Sequence, residues 1–148
     1  MVKTVNSILN NKGSDIWSVS PDNTVFDALT LMADKKCGAL VVLEENKLCG
    51  IISERDYARK IILLGKSSKE TLVREIMSST VFYASPLLTA EECMAIMIDK
   101  HVRHLPVMQE KKIKGVISIG DVVKAVIDEQ EFVIDQLERY ITGRPNLD

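Results

Sequence analysis

Apolar residues recur along this chain in two rhythms, and those rhythms mark out the elements. Val5, Ile8 and Leu9 keep the i, i+3, i+4 spacing of a helix with one buried face, so Val2–Asn11 predicts a short amphipathic helix with Gly13 as its C-cap. Asp15–Val19 reads as a short strand closed by Ser20-Pro21, because proline has no N–H for a ladder and favours a turn. Thr24, with Asp27 three residues on, is a capping box opening a helix whose face is Val25, Ala28, Leu29 and Met32. Ala39–Leu43 is then a strand, Glu44–Lys47 a polar turn, and a second strand leads into Gly50-Ile51-Ile52-Ser53. From Tyr57 to Leu64 the apolar pattern turns helical again.

This series returns. Shifting the sequence by 65 superposes Ser20–Ile62 on Ser85–Ile127 without a gap, and fifteen of the 43 positions are identical. Thr89 and Glu92 repeat the capping box, and Ala90, Cys93, Met94, Met97 and Ile98 form the matching helix face. Leu105–Met108 repeats the strand, Gln109–Lys112 the turn, and Val122–Ile127 the final helix. Two copies, each a strand, helix, strand, strand and helix, are too few for a solenoid and argue for a pseudo-symmetric pair. About 45 residues alone bury too little surface to be stable, so the copies are expected to share a core. Between them Leu64–Ser79 is a connector, broken by Gly65-Lys66-Ser67-Ser68, with a short helix within Glu70–Met77. Beyond the second copy, Glu129–Ile141 predicts a helix with Val133, Leu137, Tyr140 and Ile141 on one stripe, ending at Gly143 and Pro145.

The most specific repeated object is Gly-Ile-Ile-Ser-Glu-Arg-Asp, Gly50–Asp56, echoed by Gly-Val-Ile-Ser-Ile-Gly-Asp, Gly115–Asp121. In each, a strand delivers a serine and, three residues later, an aspartate to the start of a helix. Unpaired amides and the positive end of the helix dipole favour anions there, and a carboxylate beside them accepts hydrogen bonds from a cis-diol. Ribose and phosphate suit such a corner. Ser53-x-x-Asp56 and Ser118-x-x-Asp121 equally match an ordinary capping box, and it is their repetition that favours a site.

Composition narrows the picture. At 148 residues, with 46% hydrophobic and 27% charged positions and a net charge of −2, the chain reads as one ordinary globular domain without the basic patch that nucleic acid requires. Cys37, Cys49 and Cys93 are odd in number and lack a Cys-x-x-Cys spacing, so neither a disulfide framework nor a zinc site is indicated. His101 and His104 stand three apart without a third ligand, which argues against a metal. No signal peptide or membrane span is read, and the expected setting is cytoplasmic. None of the common nucleophile, zinc-protease, Walker or dinucleotide motifs occurs, so no catalytic residue is assigned and the chain is expected not to be an enzyme.

The doubled Gly-h-h-Ser-x-x-Asp, the His104-Leu105-Pro106-Val107 segment and the flanks around Arg55–Glu70 and Glu131–Ile141 resemble a stand-alone tandem pair of CBS domains, the modules named after cystathionine β-synthase. The resemblance covers Asp15 to about Asp128. It implies an α/β (α+β) fold of two β-α-β-β-α repeats packed as a pseudo-twofold pair. The implied division is a flanking helix at 1–14, repeats at 15–64 and 80–128, a connector at 65–79, and a C-terminal helix and tail at 129–148. It also implies two clefts that bind an adenosine nucleotide: AMP, or else ADP, ATP or NAD. Asp121 and Asp56 would take the ribose diol, with Ser118, Ser53 and Gly120 facing ribose or phosphate. Adenine would sit on Ile16-Trp17 for the Asp121 cleft and on Val81-Phe82 for the Asp56 cleft, while Cys37-Gly38-Ala39 and Val102-Arg103-His104 complete the walls. Trp17 is read first as core packing and second as a stacking surface. Arg103 and His104 would hold phosphate oxygens, and because the shift places Gly38 and Ala39 opposite them, the Asp56 cleft would have to borrow His104 or use Arg55 or Lys36. Sensors of NAD(H) or S-adenosylmethionine, a ligand-free structural dimerisation module and an enzyme stand as alternatives. The apolar surplus on Tyr57, Ile61–Leu64, Val122, Val123 and Ala125–Ile127 predicts a homodimer, and an unidentified regulated protein completes the expected partners; neither nucleic acid nor membrane is among them.

Overall fold

In a computed structural model, residues 2–142 are described. The elements run α1 (Val5–Lys12), β1 (Ser18–Val19), α2 (Val25–Lys35), β2 (Ala39–Glu44), β3 (Lys47–Ser53), α3 (Glu54–Tyr57), α4 (Val73–Ile76), α5 (Ala90–Lys100), β4 (His104–Gln109), β5 (Lys112–Ser118) and α6 (Ile119–Thr142). The chain divides into two compact units. One holds Asp15–Tyr83 with Glu110–Lys114; the other holds the residues up to Ser14, Ala84–Gln109, and Gly115 onward.

In the first unit β1 pairs parallel with β2, Ser18 opposite Val41, and β2 pairs antiparallel with β3. Leu40, Val42 and Ile52 project from this sheet into a core with Val25, Ala28 and Met32 of α2, Ile61, and Val73 and Ile76 of α4. Val41 is buried as well, so β2 is covered on both faces, which accounts for its unbroken apolar run. In the second unit β4 and β5 form a two-stranded sheet, and Ala90, Cys93, Met97, Leu105, Val107, Val122 and Ala125 are buried. The turns of the two hairpins are alike: Glu45 and Asn46, then Glu110 and Lys111, have φ of 52° and 64°. Positive φ at both central residues is the geometry whose twist matches paired strands.

Both predicted capping boxes form. Thr24 accepts from the Asp27 N–H and Thr89 from the Glu92 N–H, each at 3.1 Å. Ile98, expected on the buried face of α5, is instead 64% exposed, because the stripe that enters the core is the narrower Ala90-Cys93-Met97 line.

Three other expectations change. The first strand shrinks to Ser18–Val19, of which only Val19 is buried; the Asn23-to-Ser20 backbone bond already turns the chain there. Its counterpart in the second copy is a single parallel bridge, Ala84 to Val107, so that copy lacks a first strand. Pro106 occupies the position of Val41 and has no N–H to donate to the next rung. The helix expected over Tyr57–Leu64 is the single turn of α3 followed by a π-helical turn, Ala58–Ile62, ended by Gly65 at φ 68°. Past the second motif, by contrast, α6 runs through 24 residues without a break. The stop expected at Gly143 and Pro145 lies outside the described residues.

The flanking segments complete the symmetry. Val73 and Arg74 of α4 donate to Asn23 and Pro21 at 2.8 and 3.0 Å, and Val25 donates to Thr71 at 2.8 Å. Val5 and Asn6 of α1 donate to Leu88 and Pro86 at the same distances, and Ala90 donates to Lys3 at 2.9 Å. Thr4 bridges to Thr89 as Leu72 bridges to Thr24. Thus α1, which precedes the first repeat, builds the unit of the second, while the connector helix α4 builds the unit of the first.

Candidate functional site

In the second unit β5 ends at Ser118 and α6 begins at Ile119, so the motif falls on the strand-to-helix corner. The corner is closed by reciprocal bonds: the Ser118 N–H donates to Asp121 Oδ2 at 2.8 Å, and the Asp121 N–H donates to Ser118 Oγ at 3.2 Å. The carbonyl of Arg103 accepts the Ile119 N–H at 2.8 Å. The Arg103 side chain is exposed, and His104, the first residue of β4, is half-buried.

A residue absent from the sequence reading joins them. The Lys12 ammonium, at the last position of α1, lies 2.7 Å from Asp121 Oδ2 and donates to the Val116 carbonyl at 2.9 Å. Burial pushes the Asp121 carboxyl up, but the bonds from Lys12 and Ser118 outweigh it and hold the group below its ordinary range. Burial first, then the positive charges of Lys12 and Arg103, hold the His104 imidazole below its ordinary value, against the pull of Asp121. At neutral pH this corner therefore presents an ionised carboxylate beside a neutral imidazole.

The first unit holds the matching corner. The Ser53 N–H donates to Asp56 Oδ2 at 2.9 Å, Ser53 Oγ lies 3.1 Å from the same oxygen, and the Asp56 N–H donates to Ser53 Oγ at 3.2 Å. Gly38, which occupies the place of Arg103, accepts the Glu54 N–H at 3.0 Å. Here too a lysine meets the carboxylate, but it comes from the next turn: Lys60 lies 3.4 Å from Asp56 Oδ1 and donates to Ile76 O at 2.8 Å. The i, i+4 spacing of Asp56 and Lys60 was a readable signal. Lys12 stands 109 residues from Asp121 and offered none.

The remaining predicted residues distribute as follows. Gly120 and Val102 lie in the second unit with Asp121, while Ile16, Trp17, Gly38, Ala39, Arg55, Val81 and Phe82 lie in the first. Trp17 is not core packing: it is 38% exposed, and the Lys35 ammonium stands 4.4 Å from its ring centroid. One flat aromatic face already covered by a cation is stabilised without burial. Among the described residues no three His, Cys, Asp or Glu side chains gather as a metal would require. No helix among them is long and apolar enough to cross a membrane.

Comparison with known proteins matches both copies of the repeat. The family model of the CBS domain matches residues 7–63 and 73–128. The Arabidopsis thaliana protein named CBS domain-containing protein CBSX3, mitochondrial, is 39% identical over 150 aligned positions, covering 95% of this chain and 72% of that one. A solved structure described as a putative signal-transduction protein with CBS domains, from Burkholderia ambifaria, superposes with a TM-score of 0.83 at 47% identity, over 86% of this chain and 96% of the other. A hexameric CBS-CP12 protein from bloom-forming cyanobacteria gives a TM-score of 0.74 at 29% identity, over 83% and 71%. Tandem CBS domains are regulatory, signal-transduction modules that commonly bind adenosine ligands. With two family matches falling on the two halves of its internal repeat, the chain belongs to the CBS-domain family.

Proposed function

We propose that this protein is a non-catalytic sensor that binds an adenosine nucleotide, AMP in the first instance, at the Ser-x-x-Asp corners. The observation that carries the reading is the Asp121 corner, where an ionised carboxylate, a helix N-terminus, His104 and Lys12 stand together. The carboxylate accepts from the ribose diol, and the amides and cations attract the phosphate. Asp56 with Ser53 and Lys60 offers a second, differently furnished corner. We place the protein in the cytoplasm on its composition, although the Arabidopsis relative is named mitochondrial.

A second reading, assembly into a homodimer, is favoured by a specific feature. Ile62, Leu63 and Leu64 after α3 are 57%, 75% and 63% exposed, and Val123 and Ile127 of α6 are 38% and 49% exposed. Exposed apolar side chains close together on one segment mark interaction surfaces, and each unit carries such a set. The assembly and the sensor are compatible.

Thermal shift against AMP, ADP, ATP, NAD(H) and S-adenosylmethionine, followed by calorimetry, tests the sensor. A ligand that binds only the folded state, present at about 100 times its Kd, adds about 2.7 kcal/mol of stability. Asp121→Ala should weaken AMP binding at least about tenfold, since a hydrogen bond to a charged group contributes about 1.5–3 kcal/mol. Wild-type protein that ignores every ligand in the screen ends the proposal and leaves the structural dimer.

A further inference from the structure

One of the two Asp121 oxygens that a sugar diol would seek is already taken. Oδ2 accepts from the Ser118 amide at 2.8 Å and from Lys12 at 2.7 Å. A diol that is to use both oxygens must displace the ammonium from Oδ2, and a hydroxyl is a poor exchange for that cation unless the cation finds another anion. Beside the pair lies a hollow of about 180 Å³, lined in part by Lys3, Asn11, Lys12, Asp121, Lys124 and Asp128. It is smaller than the roughly 300–1,000 Å³ of a pocket for a whole small-molecule ligand, and of a size to take one charged group. Three of the lining residues are lysines, and among the described residues neither Lys3 nor Lys124 is in an ion pair. The Lys12 side chain is 38% exposed and ends in a compact, rotatable ammonium, so it can move between anions while α1 stays in place.

We infer that Lys12 is the residue by which the Asp121 corner distinguishes a phosphorylated nucleoside from an unphosphorylated one. Without ligand it occupies Oδ2 and leaves the diol only one carboxylate oxygen. A phosphoryl group reaching the hollow gives the ammonium a new partner beside Lys3 and Lys124, and Asp121 is released to accept the diol. A nucleoside without phosphate offers the ammonium nothing and is left with a single carboxylate oxygen for its diol. Lys12 thus adds a gate to the nucleotide-binding reading, on which this inference rests.

Calorimetric titration of AMP and adenosine into wild type, Lys12→Gln and Lys12→Arg at one ionic strength tests it, with a thermal melt of each variant to establish folding. Wild type should favour AMP. In Lys12→Gln adenosine should bind more tightly and AMP more weakly, so that the ratio of the two Kd values falls by at least about tenfold, the loss of one charge-assisted bond. Lys12→Arg should keep most of the discrimination. An unchanged ratio in Lys12→Gln sinks the gate and leaves the nucleotide site standing. If wild type binds neither ligand, the proposed function falls, and Lys12→Gln still decides the gate: adenosine binding in that variant upholds it, and binding of neither ends it.

Discussion

Met77 occupies the space that a side chain on Gly50 would need: a Cβ there would stand 2.7 Å from the Met77 sulfur and 2.9 Å from the Ser78 carbonyl. Leu9 does the same at Gly115, with its Cδ2 at 2.7 Å, but no backbone atom is close. Both glycines belong to the repeated motif, and both are held by their lack of a side chain rather than by an unusual φ. A side-chain end can swing aside, whereas the Ser78 carbonyl is fixed by mutual backbone bonds with Ile51 at 2.9 and 3.0 Å. Gly50→Ala should therefore cost about 1–3 kcal/mol, as overpacked cores do, and Gly115→Ala less. Urea titration of the two variants checks the order, and equal losses would mean that the backbone contact is not limiting.

A second prediction concerns inequality between the corners. Arg103 has no counterpart, since Gly38 stands at its place in the first repeat. An arginine fork holds phosphate in a directed, bidentate way. Arg103→Ala should thus weaken AMP binding in an Asp56→Ala background and leave it unchanged in an Asp121→Ala background. Calorimetry that finds the same effect in both would remove the distinction.

Protonation of His104 gives a third. Its folded-state value lies below the ordinary 6.5, so the unfolded chain takes up the proton first. The neutral form then favours folding at higher pH, and stability falls as pH drops from the ordinary value toward the lowered one. Asp121 acts in a lower window: its depressed value supports the fold above the ordinary carboxylate range and is lost as pH falls through the folded value. Denaturant midpoints between pH 8 and pH 5 should decline in wild type and flatten in His104→Gln. A decline that persists in that variant would assign it to another group.

The cysteines supply a fourth. Cys93 is fully buried on α5, and burial, followed by the nearby Glu92, pushes its thiol up to about 11. The thiolate is the reactive form, so Cys93 should resist alkylation in the native protein at pH 8 and react on unfolding. Mass spectrometry of the labelled peptides reads this directly. Rapid native labelling at Cys93 would show that α5 opens locally.

Local features were legible in the sequence because their causes are local. Thr24 and Thr89 cap their helices through residues three positions away, and Val5, Ile8 and Leu9 are buried because they share one helical face. The serine–aspartate corners were legible as capped strand-to-helix junctions for the same reason. Distant relationships were not. Nothing near Lys12 announces Asp121, and nothing in α4 announces that it completes the first repeat's core, because each partner is specified by tertiary packing. The missing strand of the second copy lies between these cases, since Pro106 stood in plain view but forbids a rung only once its neighbour is known.

The crossed placement of α1 and α4 sets an order of assembly. The first unit, apart from the hairpin tip Glu110–Lys114, is one continuous stretch, Asp15–Tyr83, so on a ribosome its contacts can close soon after Ile76 has emerged. The second unit needs α1, made first, to wait for strands and a helix made last, with the whole first unit as the intervening loop. Closing such a loop costs entropy before its contacts repay any, and high contact order slows folding. Lys12 rides on that late-docking helix, so the cation at the Asp121 corner arrives only when the rest of the molecule has been built.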